Sequence, residues 1–163
     1  MTPASFIKFI KKKSPPATES EVVAFERMIN GKLPADYRDF LLACNGGYVG
    51  GRLWFMEPTP TGKIADAGVH HIGGVRAERH LSLRAAFDCY ANRIPQDLIW
   101  IMDDPFGNAI CLAFRGPHRG RVFFWDHEHE APKNGGLTIE GAGNLQLLAN
   151  SFSEFVCGLR SGS

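Results

Sequence analysis

Residues 98–128, LIWIMDDPFGNAICLAFRGPHRGRVFFWDHE, hold three apolar runs separated by turn residues, and this pattern decides the fold. The first run is continuously apolar and ends in two aspartates, which predicts a central strand. The runs AICLAFR and RVFFWDHE predict two further strands, joined in a hairpin by the loop GPHRG. Because consecutive strands with short connections pair in opposite directions, we expect an antiparallel sheet rather than crossover units.

Helical patterns precede these strands. Thr18 and Glu21 have capping-box spacing, so a helix should begin at Thr18 and end at the Asn-Gly pair 30–31. Residues 33–47, LPADYRDFLLACNGG, predict a second helix with a proline in its first turn and two glycines at its end. Residues 81–93, LSLRAAFDCYANR, predict a third helix from the apolar residues on one side.

The remaining segments alternate between strand and turn chemistry before a closing helix. Residues 50–56 (GGRLWFM) and 69–75 (VHHIGGV) predict strands, and residues 57–68, with two prolines and two glycines, predict a loop. Residues 131–143 are rich in glycine, and we expect them to be mobile. A last helix is predicted from seven apolar residues that share one helical face: Leu145, Leu148, Ala149, Phe152, Phe155, Val156 and Leu159.

The order of these elements predicts an α+β fold, with a mixed, mainly antiparallel sheet flanked by helices. A chain of 163 residues fits one domain with a sizeable core. We place that domain at residues 17–163. It follows a basic, amphipathic extension over residues 1–16, MTPASFIKFIKKKSPP, which we expect to dock on the domain as a short turn.

Composition and charge narrow the classes of function. A net charge of +1 gives no general attraction to nucleic acid or to an anionic membrane, so neither is expected as a direct partner. No segment resembles a secretory signal or a membrane span. The four cysteines form no CxxC pair and lie among apolar residues, which favours reduced, buried thiols and a cytoplasmic location.

The end of the third strand carries a dense group of ionisable side chains, Asp126, His127, Glu128, His129 and Glu130. In an extended strand the two histidines would share one face and the carboxylates the other. The histidine pair could belong to a metal-dependent enzyme, but no spaced ligand motif completes a site. We therefore expect no metal ligands here. We expect these charged residues to be exposed to solvent where the strand leaves the core.

The segment MDDPFGN, residues 102–108, combines Asp-Pro and Gly-Asn turn chemistry. Its two carboxylates, Asp103 and Asp104, are adjacent and point apart in extended backbone, so they cannot serve one reacting atom as paired catalysts. We expect an exposed acidic corner. No nucleophile, phosphate-loop or zinc motif occurs elsewhere in the chain, and no catalytic residue or cofactor is predicted.

Three blocks of the chain resemble the SUKH superfamily, which includes fungal cell-wall-synthesis regulators, Syd-like proteins and many bacterial immunity proteins. The first block is residues 18–47, the second is the strand that leads through MDDPFGNAICLAF, and the third is RVFFWDHE. The residues that match the signature of the second helix are Leu33, Pro34, Asp36, Tyr37, Phe40, Leu41, Asn45, Gly46 and Gly47. In the third block Val122, Trp125, Asp126, His127 and Glu128 stand in the expected order.

This resemblance implies a non-enzymatic immunity protein that binds a cognate toxin, such as a nuclease or a nucleic-acid deaminase, and neutralises it by direct contact. Exposed acidic residues would speed the encounter with a basic toxin. The predicted contact residues are Asp103, Asp104, Asp126, Glu128, Glu130, Glu57 and Trp54. Two alternatives stay open: a regulatory scaffold or ligand-binding module, and a metal-dependent enzyme that uses His127 and His129.

Overall fold

The computed structural model describes residues 1–50, 53–58, 64–130 and 137–162 of the chain. Within these residues, two consecutive helices precede most of the strands, and a further helix lies between the fifth and sixth strands. The strands are β1 (Ile10–Lys11), β2 (Gly47–Val49), β3 (Leu53–Pro58), β4 (Ile64–Gly68), β5 (His71–Ile72), β6 (Leu98–Asp103), β7 (Ala109–Ala113), β8 (Val122–Trp125), β9 (Leu145–Ala149) and β10 (Arg160–Ser161). The helices are α1 (Pro3–Phe6), α2 (Glu19–Met28), α3 (Ala35–Ala43), α4 (Leu83–Cys89) and α5 (Phe152–Gly158). Short 3₁₀ helices span Ile7–Phe9, Arg79–Leu81 and His127–His129.

The strands form two antiparallel sheets. The larger sheet has the order β1-β2-β5-β6-β7-β8-β9, and the smaller has the order β10-β3-β4. In the larger sheet Trp100 pairs with Cys111, and Cys111 pairs with Phe123. The predicted α+β class and the antiparallel pairing of the three apolar runs are therefore confirmed.

The core lies on both faces of β6, β7 and β8, in which every residue except Asp103 is buried. Adjacent residues of a strand point to opposite faces. On one face Phe124 meets Phe55 of the smaller sheet, with ring centroids 6.0 Å apart. On the other face Trp125 meets the edge of the Tyr90 ring at 5.7 Å, just after α4. The burial expected for a central strand and for Trp125 is confirmed.

Helices α2 and α3 follow the predicted capping signals closely. The Thr18 hydroxyl accepts the N–H of Glu21, and the Glu21 carboxylate accepts the N–H of Thr18, which completes the capping box. Pro34 precedes the first turn of α3 as its N-cap residue. Gly46 then adopts φ = +75°, where a Cβ would lie 2.8 Å from the carbonyl oxygen of Ile72, so a side chain cannot replace it without strain.

The prediction of one long closing helix was wrong in its first half. Leu145–Ala149 is strand β9, which pairs with β8, and only Phe152–Gly158 is helical. Without β9, the outer edge of the buried strand β8 would lack partners for its N–H and C=O groups. This requirement outweighs the helical periodicity. Ser151 separates the two elements, because its side chain accepts the N–H of Glu154 and caps α5.

Three further predictions need correction. Residues 57–68 are not simply a loop, because β3 continues to Pro58 and β4 begins at Ile64, and the two strands pair. The third predicted strand ends at Trp125, and a 3₁₀ turn replaces its charged tail. Cys44 and Cys111 are buried as expected, but the other two cysteines, at positions 89 and 157, are exposed. Residues 131–136 of the segment expected to be mobile lie outside the described residues.

The first eleven residues pack against the rest of the domain. Strand β1 pairs with β2 at one edge of the larger sheet, and the ring of Phe6 is fully buried 5.8 Å from that of Phe40. The amino group of Met1 donates to the carbonyl of Cys157 at 3.0 Å. Lys8 and Lys11 of this segment are exposed, as are Lys12 and Lys13 directly after it. No helix in the described part of the chain is long and apolar enough to cross a membrane.

We predict that Phe6→Ala lowers the free energy of unfolding by about 3–5 kcal/mol, because truncating a fully buried aromatic residue leaves a cavity in the core. Urea unfolding followed by tryptophan fluorescence measures this change. Lys8→Ala is the matched control, since its exposed side chain lies in the same segment. The control should change stability by less than about 0.5 kcal/mol. Equal stability of the two variants would contradict the packing of this segment on the core.

Candidate functional site

Five of the seven predicted contact residues gather at one edge of the larger sheet. Asp103 pairs with Ala109, and Ala109 pairs with Trp125, so β6 ends and β7 begins beside the end of β8. The turn after β6 and the turn after β8 are therefore neighbours. We call residues 103–108 and 126–130 together the β6–β8 edge.

The first turn of the β6–β8 edge is organised by Asp104. Its side chain is buried, with the residue only 3% exposed, so the prediction that Asp104 forms an exposed acidic corner was wrong. One carboxylate oxygen accepts the N–H groups of Phe106 at 2.9 Å and Asn108 at 2.8 Å. The other accepts the Asn108 side-chain amide at 2.8 Å. Asp104 thus holds the turn closed by satisfying its N–H groups.

The same turn presents a large apolar side chain to solvent. Phe106 is 73% exposed, at the point of the turn that Asp104 fixes. Leu147 of β9, at 46%, is the other large hydrophobic residue that is exposed among the described residues. Aromatic residues are enriched among the anchors of protein interfaces, so the exposed Phe106 ring is a candidate anchor.

Asn108 joins the two turns of the β6–β8 edge. Its side-chain oxygen accepts the backbone N–H of His127 at 3.2 Å and the His127 Nδ1–H at 2.8 Å. The expected exposure of His127 is observed, but its ring is turned toward the first turn. The position of one turn therefore constrains the position of the other.

The second turn is capped by its own aspartate. Asp126 Oδ1 accepts the N–H of Glu128 at 2.9 Å, and Oδ2 accepts Nδ1–H of His129 at 2.7 Å. The expected alternation of strand faces is wrong beyond Trp125, because the chain coils into a 3₁₀ turn. His127 and His129 bond to different partners and belong to no group of three metal-binding donors among the described residues. The Glu128 side chain is exposed.

Glu130 closes the second turn through an ion pair with Arg93. The guanidinium donates to both carboxylate oxygens at 2.9 Å, and the hydrogen bond with Glu130 raises the pKa of Arg93. Arg93 also lies over the rings of Tyr90 and Trp125, 5.2 and 5.3 Å from their centroids. Glu130 is therefore anchored to the core through Arg93.

Asp103 faces a group of histidines rather than open solvent. Its carboxylate accepts the backbone N–H of His71 at 2.9 Å and the His71 Nδ1–H at 3.0 Å. Burial raises the pKa of Asp103, and these two hydrogen bonds act in the opposite direction. The ring of His70 lies 3.9 Å from that of His71, and the Tyr48 ring meets His71 at 4.9 Å.

The last two predicted contact residues lie elsewhere. Trp54 and Glu57 belong to β3 of the smaller sheet. Trp54 is partly exposed and pairs with Gly68 of β4. The side chain of Glu57 lies outside the described part of the structure.

Sequence reasoning missed Phe106, Asn108, Tyr48 and His80, and it named His70 and His71 only as possible further donors for a metal site. For Phe106 a signal existed, because an aromatic residue stands in MDDPFGN where a turn normally carries polar side chains. For the contact between His71 and Asp103 no local signal existed, because strand pairing brings His71 to a residue 32 positions away.

Comparison with known proteins agrees with the fold. The model of the SMI1 / KNR4 family (SUKH-1) matches residues 16–158, which confirms the resemblance to the SUKH superfamily. The chain is also 31% identical, over 154 residues, to the SPbeta prophage-derived uncharacterized protein YokK of Bacillus subtilis (strain 168). That similarity covers 87% of this chain and 74% of the relative.

We predict that Asp104→Ala destabilises the protein by about 1–3 kcal/mol, because it removes a charged acceptor of three hydrogen bonds that close the turn. Glu128→Ala is the control, since it removes an exposed carboxylate from the neighbouring turn. It should change stability by less than about 0.5 kcal/mol. Thermal and urea unfolding measure both variants, and an Asp104→Ala protein as stable as the wild type would show that the turn does not need this carboxylate.

Proposed function

This chain belongs to the SMI1/KNR4 family (SUKH-1), and from that membership we propose that it is a non-enzymatic immunity protein that binds and blocks a cognate toxin. Proteins of this family are typically immunity proteins of polymorphic toxin systems. We further propose that the toxin is a nuclease or a nucleic-acid deaminase and that the encounter takes place in the cytoplasm. The protein would act by covering the toxin's surface, without chemistry of its own.

The structural observation that supports a contact at the β6–β8 edge is the exposed ring of Phe106 on the turn that Asp104 closes. Aromatic residues at the centre of an interface supply much of its binding energy when the partner offers a pocket. The turn is already ordered by the hydrogen bonds of Asp104 and Asn108, so little conformational entropy is lost when a partner docks. Phe106 would thus be the anchor of the contact.

Charged residues around the anchor would supply specificity. Glu128 is exposed beside the first turn and is the predicted contact residue best placed to meet a basic toxin. Asp104 would act indirectly by holding Phe106. Asp103 and Asp126 accept hydrogen bonds within the chain and would contribute through their remaining lone pairs at the rim. Glu130 is paired with Arg93 and would contribute through the charges of that ion pair.

Trp54 and Glu57 are proposed as a second contact area on the smaller sheet. They are not part of the β6–β8 edge, so variants can separate the two areas. Trp54→Ala removes an indole from β3 without altering the turns that carry Phe106 and Glu128.

The first test is rescue of growth. We predict that co-expression of this protein with a toxin encoded beside its gene restores growth and that the two proteins co-purify in equimolar amounts. The control is the same toxin with an unrelated immunity protein of similar size. If neither rescue nor co-purification occurs with any neighbouring toxin, the proposed function is wrong.

The second test addresses the surface. Phe106→Ala should weaken the dissociation constant for the toxin by about 30-fold or more, which is the loss expected at an interface hot spot. Leu147→Ala is the matched control, because it removes another exposed apolar side chain from the same sheet. Isothermal titration calorimetry on both variants measures the change. Equal affinities for the two variants would place the contact away from the β6–β8 edge, and Trp54→Ala then tests the smaller sheet.

A further inference from the structure

Three side chains with metal-binding atoms converge where β5 meets β6. The ligand atoms of His70, His71 and Asp103 all lie within 4.8 Å of one another. The backbone creates this convergence, because the N–H of His70 donates to the carbonyl of Asp103 at 2.9 Å. The N–H of His71 donates to the Asp103 carboxylate, also at 2.9 Å.

The donors are held in place before any ion arrives. The His71 ring is oriented by its 3.0 Å hydrogen bond to Asp103 Oδ2 and by the edge of the Tyr48 ring. An ion bound between His71 Nδ1 and Asp103 would replace this hydrogen bond and release the Nδ1 proton to solvent. The His70 ring packs against that of His71 with centroids 3.9 Å apart. The side chains of His71 and Asp103 are 23% and 22% exposed, so an ion can reach them from solvent.

We propose that His70, His71 and Asp103 form a binding site for a divalent transition-metal ion of the Zn²⁺ type. Imidazole nitrogens select Zn²⁺ and its neighbours over Mg²⁺ and Ca²⁺, which prefer oxygen ligands alone. Two nitrogens and one carboxylate oxygen leave one tetrahedral position for water. Bonds of about 2.0–2.2 Å to Zn²⁺ place ligand atoms roughly 3.4 Å apart, so a small contraction of the present cluster is sufficient.

Neighbouring groups define the limits of the site. The Tyr48 hydroxyl is hydrogen-bonded to His80 Nε2, and His80 also lies 3.7 Å from Glu78. His80 therefore interacts with Tyr48 and Glu78 and is not one of the three proposed ligands. The amino group of Lys12 lies 5.8 Å from the centroid of the Tyr48 ring.

A metal at this position would tie β5 to the end of β6, directly before the turn that carries Phe106. Its role would be to reinforce the β6–β8 edge rather than to catalyse a reaction. Metal binding can be measured on the isolated protein, so this inference is independent of toxin binding and of the proposed function.

The experiment uses the full chain without a polyhistidine tag, dialysed first against a chelator. Titration calorimetry with ZnCl₂ should show saturable binding, and elemental analysis after gel filtration should find one zinc per chain. Zinc should also raise the melting temperature, because binding to the folded state alone stabilises it. Absence of saturable binding, or zinc that is lost on gel filtration, overturns the proposal.

Variants then test the ligand set. His70→Ala and His71→Ala should each weaken zinc binding by more than about 100-fold, since loss of even an outer-shell partner typically costs 10–100-fold. Asp103→Asn should also weaken it, because the amide lacks the negative charge. The matched controls are His127→Ala and His129→Ala, which remove histidines outside the cluster and should leave affinity unchanged. Equal losses in cluster and control variants would contradict the assignment.

Folding of each variant is checked by circular dichroism without metal, and a variant that fails to fold is replaced by His70→Gln or His71→Gln.

The wild-type protein supplies a measurement that needs no variant. Co²⁺ bound by two imidazoles and a carboxylate should show the visible absorption of tetrahedral coordination. An octahedral, water-like Co²⁺ spectrum would overturn the proposed geometry.

Discussion

Burial of β6, β7 and β8 on both faces is the constraint on which the rest of the structure depends. A strand with only apolar side chains cannot face water, so each face of this sheet needs a cover. Phe55 covers Phe124 on one face and packs in turn against Phe155 of α5, and Tyr90 covers Trp125 on the opposite face. Each cover comes from a distant part of the chain, and this is why the smaller sheet, α4 and α5 take the positions they do.

The same constraint explains where sequence reasoning succeeded and where it failed. Capping at Thr18 and the glycines after α3 depend on neighbouring residues, and both were predictable. Strand β9 was not, because Leu145 and Leu148 fit a helical stripe as well as an extended segment. The deciding factor was the hydrogen-bonding edge of β8, which lies about twenty positions earlier in the chain. Local periodicity cannot report a requirement that arises from a distant strand.

The candidate site, too, was predictable from the sequence only in part. The residues of MDDPFGN predicted a turn. The antiparallel pairing of the strands brings Asp103, Asp126, Glu128 and Glu130 to one edge of the sheet. The roles of these carboxylates could not be predicted from the sequence, because the hydrogen-bond partner of each carboxylate decides whether its side chain points outward. Asp104 turns inward to the N–H groups of its own loop, and Glu130 turns to Arg93. The position of the histidine group depends on β5, a strand of two residues. No local sequence pattern predicts which strand β5 pairs with.

The arrangement of charges at the β6–β8 edge supports the proposed binding role. A catalytic carboxylate needs a free face toward the substrate, whereas Asp104 and Glu130 are committed to partners within the chain. That commitment also lowers the cost of docking, since a charge already paired loses less on desolvation than a solvated one. A partner would then have to desolvate chiefly Glu128 and would gain the burial of Phe106. A surface whose polar groups are satisfied internally, with one aromatic ring held outward, is therefore suited to recognising another protein.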